Sequence, residues 1–157
     1  MAAALASMVA GMSRGKKNYV QYERELSEAL ARLEHIREEL KAAIDADAEA
    51  YKAVMQAYRR AKENGGAAES VHDATRRAIE VPLRVAEQSD EIREIIGQLR
   101  GVTNPKMASD LDVAEALARA AARGGVANVE INLDSLPDET FRAVYRGRAA
   151  ELRTRNG

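Results

Sequence analysis

From Asn18, which can serve as an N-cap, to Lys62 or Glu63, the sequence predicts a single uninterrupted helix that ends at the Asn64-Gly65-Gly66 break. That is far beyond the usual globular range of about 8–20 residues. Its apolar positions are Leu26, Leu30, Leu33, Ile36, Leu40, Ile44, Tyr51, Val54, Met55 and Tyr58, spaced by three or four residues or by sums of these. A coiled coil is the competing reading, but the strict heptad it needs is not sustained.

Helix signals continue along the chain and strand signals are nearly absent. A first helix is predicted over Ala2–Ser13, stopped by Gly15. A third runs from Glu69 to Leu99, where Val81-Pro82 should kink or split it, because proline removes a helical donor. Gly101 to Lys106 forms a loop with Asn104-Pro105, and Ser109 or Asp110 caps a fourth helix reaching Leu133. Pro137 and Asp138 open a last helix through Arg153, leaving a frayed tail. The expected fold is all-α, an antiparallel bundle of about five helices with one very long helix, in one domain spanning residues 1–157. Hydrophobic residues make up 46% of the chain but aromatics only 4%, so the interior must be built from alanine and aliphatic side chains. Met8, Met12 and Met55 read as core filler.

Composition excludes several kinds of function. Lys plus Arg (24) nearly balance Asp plus Glu (25), for a formal net charge of -1, so no global field favours nucleic acid or an acidic membrane. With no cysteine there can be no disulfide, thiol catalysis or Cys-ligated metal, and His35 and His72 are too few for most metal constellations. Neither a metal nor a redox cofactor is expected. The apolar run Ala2–Met12 precedes Arg14, Lys16 and Lys17, the reverse of an export signal, and is too short to span a bilayer. It reads as a buried helix of a cytoplasmic protein.

The informative residues are polar ones at positions where the helical period calls for apolar ones. Asp47 lies on the steps 40, 44, 47, 51, 54 and 58, in line with Leu40, Ile44, Tyr51 and Val54, while Asp45 points elsewhere. Desolvation there would raise its pKa toward the range useful for proton transfer; alternatively, the carboxylate pairs structurally or lies just outside the core. A second series, Asp110, Val113, Leu117, Ala121, Gly124, Asn128 and Ile131, has Asn132 beside it, and its small residues allow close approach of a backbone or a flat ligand. Tight helix packing with Asp110 as a cap is the alternative. Gly124-Gly125 is too isolated to form a phosphate loop. Lys16 and Lys17 can hold an anion or simply be solvated, His72 has no visible partner, and Glu63 to Arg77 reads as an exposed connection and helix start.

Four stretches, in order, carry a family resemblance. They are Asp45-Ala46-Asp47-Ala48-Glu49-Ala50-Tyr51; Val81-Pro82-Leu83 with Ala86-Glu87; Gly101-x-x-Asn104-Pro105 with Ser109-Asp110-x-x-Val113-Ala114; and Asn128-Val129-x-Ile131-Asn132-Leu133. Together they resemble the formiminotetrahydrofolate cyclodeaminase and methenyltetrahydrofolate cyclohydrolase family over essentially the whole chain. The resemblance implies an all-helical fold, usually a homodimer, acting on a one-carbon tetrahydrofolate derivative as substrate without metal or redox cofactor. It assigns the catalytic aspartate to Asp47. It further suggests that Asp110, with Ser109, holds the pterin or orients the reacting nitrogen, that Asn128 and Asn132 bond pterin or carbonyl groups, and that Lys16 and Lys17 attract the glutamate tail. Members begin with a Thr-Pro and a Gly-Gly-Gly-Ser turn before the first apolar helix. Here the chain starts inside that helix, at Met1-Ala2-Ala3-Ala4-Leu5, so this turn and its backbone N–H groups are expected to be missing, while Met12 to Lys17 matches the family's next turn. The alternative function is a non-catalytic helical module that scaffolds a partner.

Overall fold

The computed structural model describes residues 1–64, 68–136 and 138–157. Five α-helices are present among them: α1 (Ala2–Ser13), α2 (Glu23–Asn64), α3 (Ala68–Leu99), α4 (Ala108–Leu133) and α5 (Glu139–Asn156), and no strand. The all-α expectation with one very long helix therefore holds, α2 having 42 residues. Gly65 and Gly66, invoked above as a break, and Pro137, invoked as opening the last helix, lie outside the described residues. No helix among the described residues is long and apolar enough to cross a membrane. The chain divides into two compact units, residues 1–40 with 88–121 and residues 41–87 with 122–157.

In the first unit α1 ends where Gly15 takes a φ of 71°, a conformation that favours glycine. The Gly15 N–H and the Arg14 guanidinium both bond the Glu23 carboxylate at 2.9 Å, and these contacts, the backbone one foremost, hold Glu23 below the usual carboxylate range. Asn18 does not cap α2. A 3-10 turn over Lys17–Tyr22 leads directly into Glu23, because its own i,i+3 bonds satisfy the chain before the α-helix starts. The α2 and α3 segments are antiparallel, since Arg32 grips Glu91 while Gln88 donates to Glu39 at 2.7 Å. Ala3, Ala6, Val9 and Ala10 of α1 pack into a core with Leu26, Leu33, Ile36, Ile92, Ile96 and Leu99, as expected for a buried α1. Met8 and Met12, by contrast, are exposed, because alanines are small enough to fill the α1 contact unaided. The Ser13 hydroxyl donates to Val9 O at 3.0 Å and accepts from the Asn104 N–H at 3.1 Å, tying α1 to the loop before α4. That loop also corrects the predicted cap: Asn104 caps a 3-10 turn over Pro105–Met107 that runs straight into Ala108, so Ser109 and Asp110 sit inside the first turn of α4.

In the second unit α3 is a single helix through Pro82 rather than two. Proline lacks the N–H that would bond the Ala78 carbonyl, and Asn132 of α4 supplies a donor to that oxygen at 2.9 Å. Contacts Gly125 to Pro82 and Asn132 to Ala78 run α3 and α4 antiparallel. A Cβ on Gly125 would lie 2.7 Å from Pro82 O, so only glycine permits this approach. Asp138 caps α5 by accepting the Phe141 N–H at 3.0 Å, and α5 continues to Asn156 rather than fraying at Arg153, since the buried Asn156 amide bonds Leu152 O. Tyr145 meets Glu80 and Arg148 meets Glu87, so α5 runs parallel to α3. Ile79, Leu83, Val126, Val129, Leu133 and Leu152 form the core. The buried His72 Nε2 makes no hydrogen bond among the described residues; it lies 3.6 Å from an Asp138 carboxylate oxygen, and the ring is edge-on to Phe141. Of the stretch Glu63 to Arg77, the part from Ala68 is the start of α3, as expected, with Ala74 and Thr75 buried on it, while residues 65–67 lie outside the described residues.

Candidate functional site

Beyond Leu40, two rows of apolar residues run along α2. Ala50 and Ala57 are buried, and Ala46 and Ala53 half-buried, on the side that faces the rest of the second unit. Ile44, Asp47, Tyr51, Met55 and Tyr58 form the other row, which is exposed; Ile44 is 71% and Tyr51 66% accessible. The expectation that Asp47 sits within a buried stripe is thus corrected: it stands at the surface among large apolar side chains. Met55, expected as core filler, belongs to the same surface row. The reason is size, since alanine lets neighbouring helices approach closely and leaves the bulky residues outside.

The α4 row shifts in the same way. Its buried positions are Leu111, Ala114, Ala118, Ala122, Gly125, Val129 and Leu133, one residue along from the row anticipated as far as Val129 and two at Leu133. Val113, Ala121, Gly124, Asn128 and Ile131 are exposed, and nothing approaches within 4 Å of a Cβ built on Gly124. Asn132 is half-buried; its amide donates to Ala78 O and to Asn128 Oδ1 at 3.1 Å. Both of its N–H groups are therefore used, leaving its oxygen and the exposed Asn128 amide to meet a ligand. These two asparagines and Asp47 belong to the second unit. Lys16, Lys17 and Ser109, all exposed, and the half-buried Asp110 belong to the first; Asp110 lies in the first turn of α4, where the helix end favours a carboxylate.

A hollow of about 740 Å³ lies wholly in the second unit, walled by α2, α3 and α5. Its lining includes Glu49, Ala50, Arg77, Arg84 and Tyr145 but not Asp47. Sequence reasoning missed Glu49, Arg77 and Arg84, which look like ordinary solvated helix charges. The Tyr145 hydroxyl donates to Glu80 at 2.8 Å, and burial first, then that carboxylate, pushes its pKa up.

Helical proteins that process folate one-carbon groups share this fold. The crystal structure of formiminotetrahydrofolate cyclodeaminase from Thermotoga maritima superposes with a TM-score of 0.92 at 31% identity, over 99% of this chain and 76% of that one. The formiminotransferase-cyclodeaminase family model matches residues 1–151, and the chain belongs to that family. It is 36% identical over 148 residues to the methenyltetrahydrofolate cyclohydrolase of Methylorubrum extorquens, covering 90% of this chain and 70% of that protein. It is also 30% identical over 156 residues to the formimidoyltransferase-cyclodeaminase of Sus scrofa, covering 97% of this chain but only 29% of that longer protein.

Proposed function

We propose that this chain opens or closes the one-carbon ring of a tetrahydrofolate derivative, as a methenyltetrahydrofolate cyclohydrolase or formiminotetrahydrofolate cyclodeaminase, with Asp47 as general acid/base. It works in the cytoplasm as a homodimer, without metal or redox cofactor. The observation that carries this is the place of Asp47 in an exposed row with Ile44, Tyr51, Met55 and Tyr58. Four large side chains side by side in water are unusual for a lone chain. A second copy laid on the row buries them and takes water away from Asp47.

In cyclodeamination the folate N10 attacks the formimino carbon on N5, and the tetrahedral intermediate loses ammonia to leave the methenyl bridge. In cyclohydrolysis water attacks the bridge carbon, and the ring opens to 10-formyl-tetrahydrofolate. Either way a proton must move to or from nitrogen or water, and a carboxyl group held beside the reacting atoms can carry it. The Asn128 amide and the Asn132 oxygen serve the pterin, Ser109 and Asp110 orient it, and Lys16 and Lys17 attract the glutamate carboxylates.

The test is to incubate purified protein with methenyl-tetrahydrofolate and follow the loss of its absorbance, beside Asp47→Asn. Turnover above buffer that falls about 10²–10⁴-fold in the variant is expected. No acceleration sinks the enzyme reading, and equal rates sink the role of Asp47. Ammonia release from formimino-tetrahydrofolate decides between the two reactions.

A further inference from the structure

The 740 Å³ hollow falls within the range of about 300–1,000 Å³ typical of small-molecule sites. A second hollow of about 290 Å³ adjoins it, sharing Ala53 and Arg77. The hollow lies on the Glu49 flank of α2: at about 100° per residue, Asp47 and Glu49 fall on opposite sides of the Ala46, Ala50 and Ala53 seam.

Its charges are unevenly satisfied. On the α3 and α5 walls the carboxylates are taken, Glu80 by the Tyr145 hydroxyl and Arg76, and Glu87 by Arg148. Among the described residues neither Arg77 nor Arg84 forms an ion pair or a side-chain hydrogen bond. They are seven residues apart, two turns on one face of α3, which sets them about 10 Å apart along the axis. Guanidinium forks suit carboxylate and phosphate oxygens, and the alanine seam opposite offers a methylene chain an apolar bed. Glu49, on the α2 wall, repels any further negative charge.

We propose that this hollow binds an elongated dianion, two acidic groups about 10 Å apart on an aliphatic body, held by Arg77 and Arg84. The site is independent of the folate reading, because it uses none of the residues assigned to that reaction.

Calorimetric titration of the purified chain at low salt, without folate, tests this with butanedioate, hexanedioate, octanedioate and decanedioate, and with alkane bisphosphonates of matching length. Affinity is expected to rise at least tenfold from the shortest to the best-matched member. Arg77→Gln and Arg84→Gln should each weaken it about tenfold, and Glu49→Gln should tighten it, with thermal melts confirming that each variant is folded. The stronger series, dicarboxylate or bisphosphonate, names the acidic group. Affinity independent of length, insensitivity to both arginine changes, or no binding by either series overturns the proposal.

Discussion

The side-chain amide of Asn132 donates a hydrogen bond of 2.9 Å to the main-chain oxygen of Ala78. Ala78 is four residues before Pro82, so this oxygen is the one that a proline in the helix leaves without a donor. Asn128 Oδ1 accepts the other amide hydrogen and fixes its orientation. Asn132→Leu is therefore expected to cost about 1–3 kcal/mol, the usual penalty of stranding a buried polar group. Pro82→Ala restores the missing N–H, so the same change should cost clearly less in that background. A double-mutant cycle by urea denaturation reads the coupling; equal costs in both backgrounds would show that Asn132 does not compensate for the proline.

Adjacent glycines in α4 should respond with opposite signs. Gly125→Ala places a methyl 2.7 Å from Pro82 O and 2.9 Å from Ala86 Cβ, and a loss of about 1–3 kcal/mol is expected. Gly124 has open space around it, and Gly124→Ala should stabilise by up to about 1 kcal/mol through helix propensity. Thermal melts of the two variants make the comparison.

A charge in the exposed row of α2 separates a pairing surface from an idle one. Tyr51 is 66% exposed, so Tyr51→Lys leaves the single chain's fold intact. Light scattering coupled to a sizing column should show the mass falling from two copies to one. An unchanged dimer would move the interface elsewhere.

Glu115 gives a pH dependence with a definite sign. Arg100 and Arg119 bond its carboxylate at 2.7 and 2.9 Å and hold its pKa below the ordinary 4.5, the Arg100 bond contributing most. A carboxylate lowered by folding contributes stability above its unfolded pKa and loses it as pH falls through the folded one. Denaturation of the wild type against Glu115→Gln should therefore show a gap at pH 7 that closes below about pH 4. A gap that persists at pH 2 would rule out the ion pairs as its source.

Helix identity and extent were legible because long periodic segments and their stops are local. Ala2–Ser13 coincides with α1, and α2 and α3 end or begin within about two residues of expectation at the central break. Which face is buried was less legible. In α4 the row from Leu111 and the row from Asp110 both step by threes and fours through alanine and glycine, and hydrophobicity hardly separates them. In the part of α2 beyond Leu40 the larger residues are mostly the exposed ones, so ranking by size pointed to the wrong side there. Pro82 did carry a usable signal, an oxygen in need of a donor at Ala78, but nothing local names Asn132, 54 residues away, as that donor. Arg77 and Arg84 became notable only once the structure showed which carboxylates were already engaged.

The row of Ile44, Tyr51, Met55 and Tyr58 also bears on how the protein is made and handled. Under the proposed pairing, a freshly synthesised copy carries a sticky band until a second copy covers it. If that pairing holds, dilution favours the uncovered copy, so prolonged dilution should cost more recovery than the stability of the single chain would suggest.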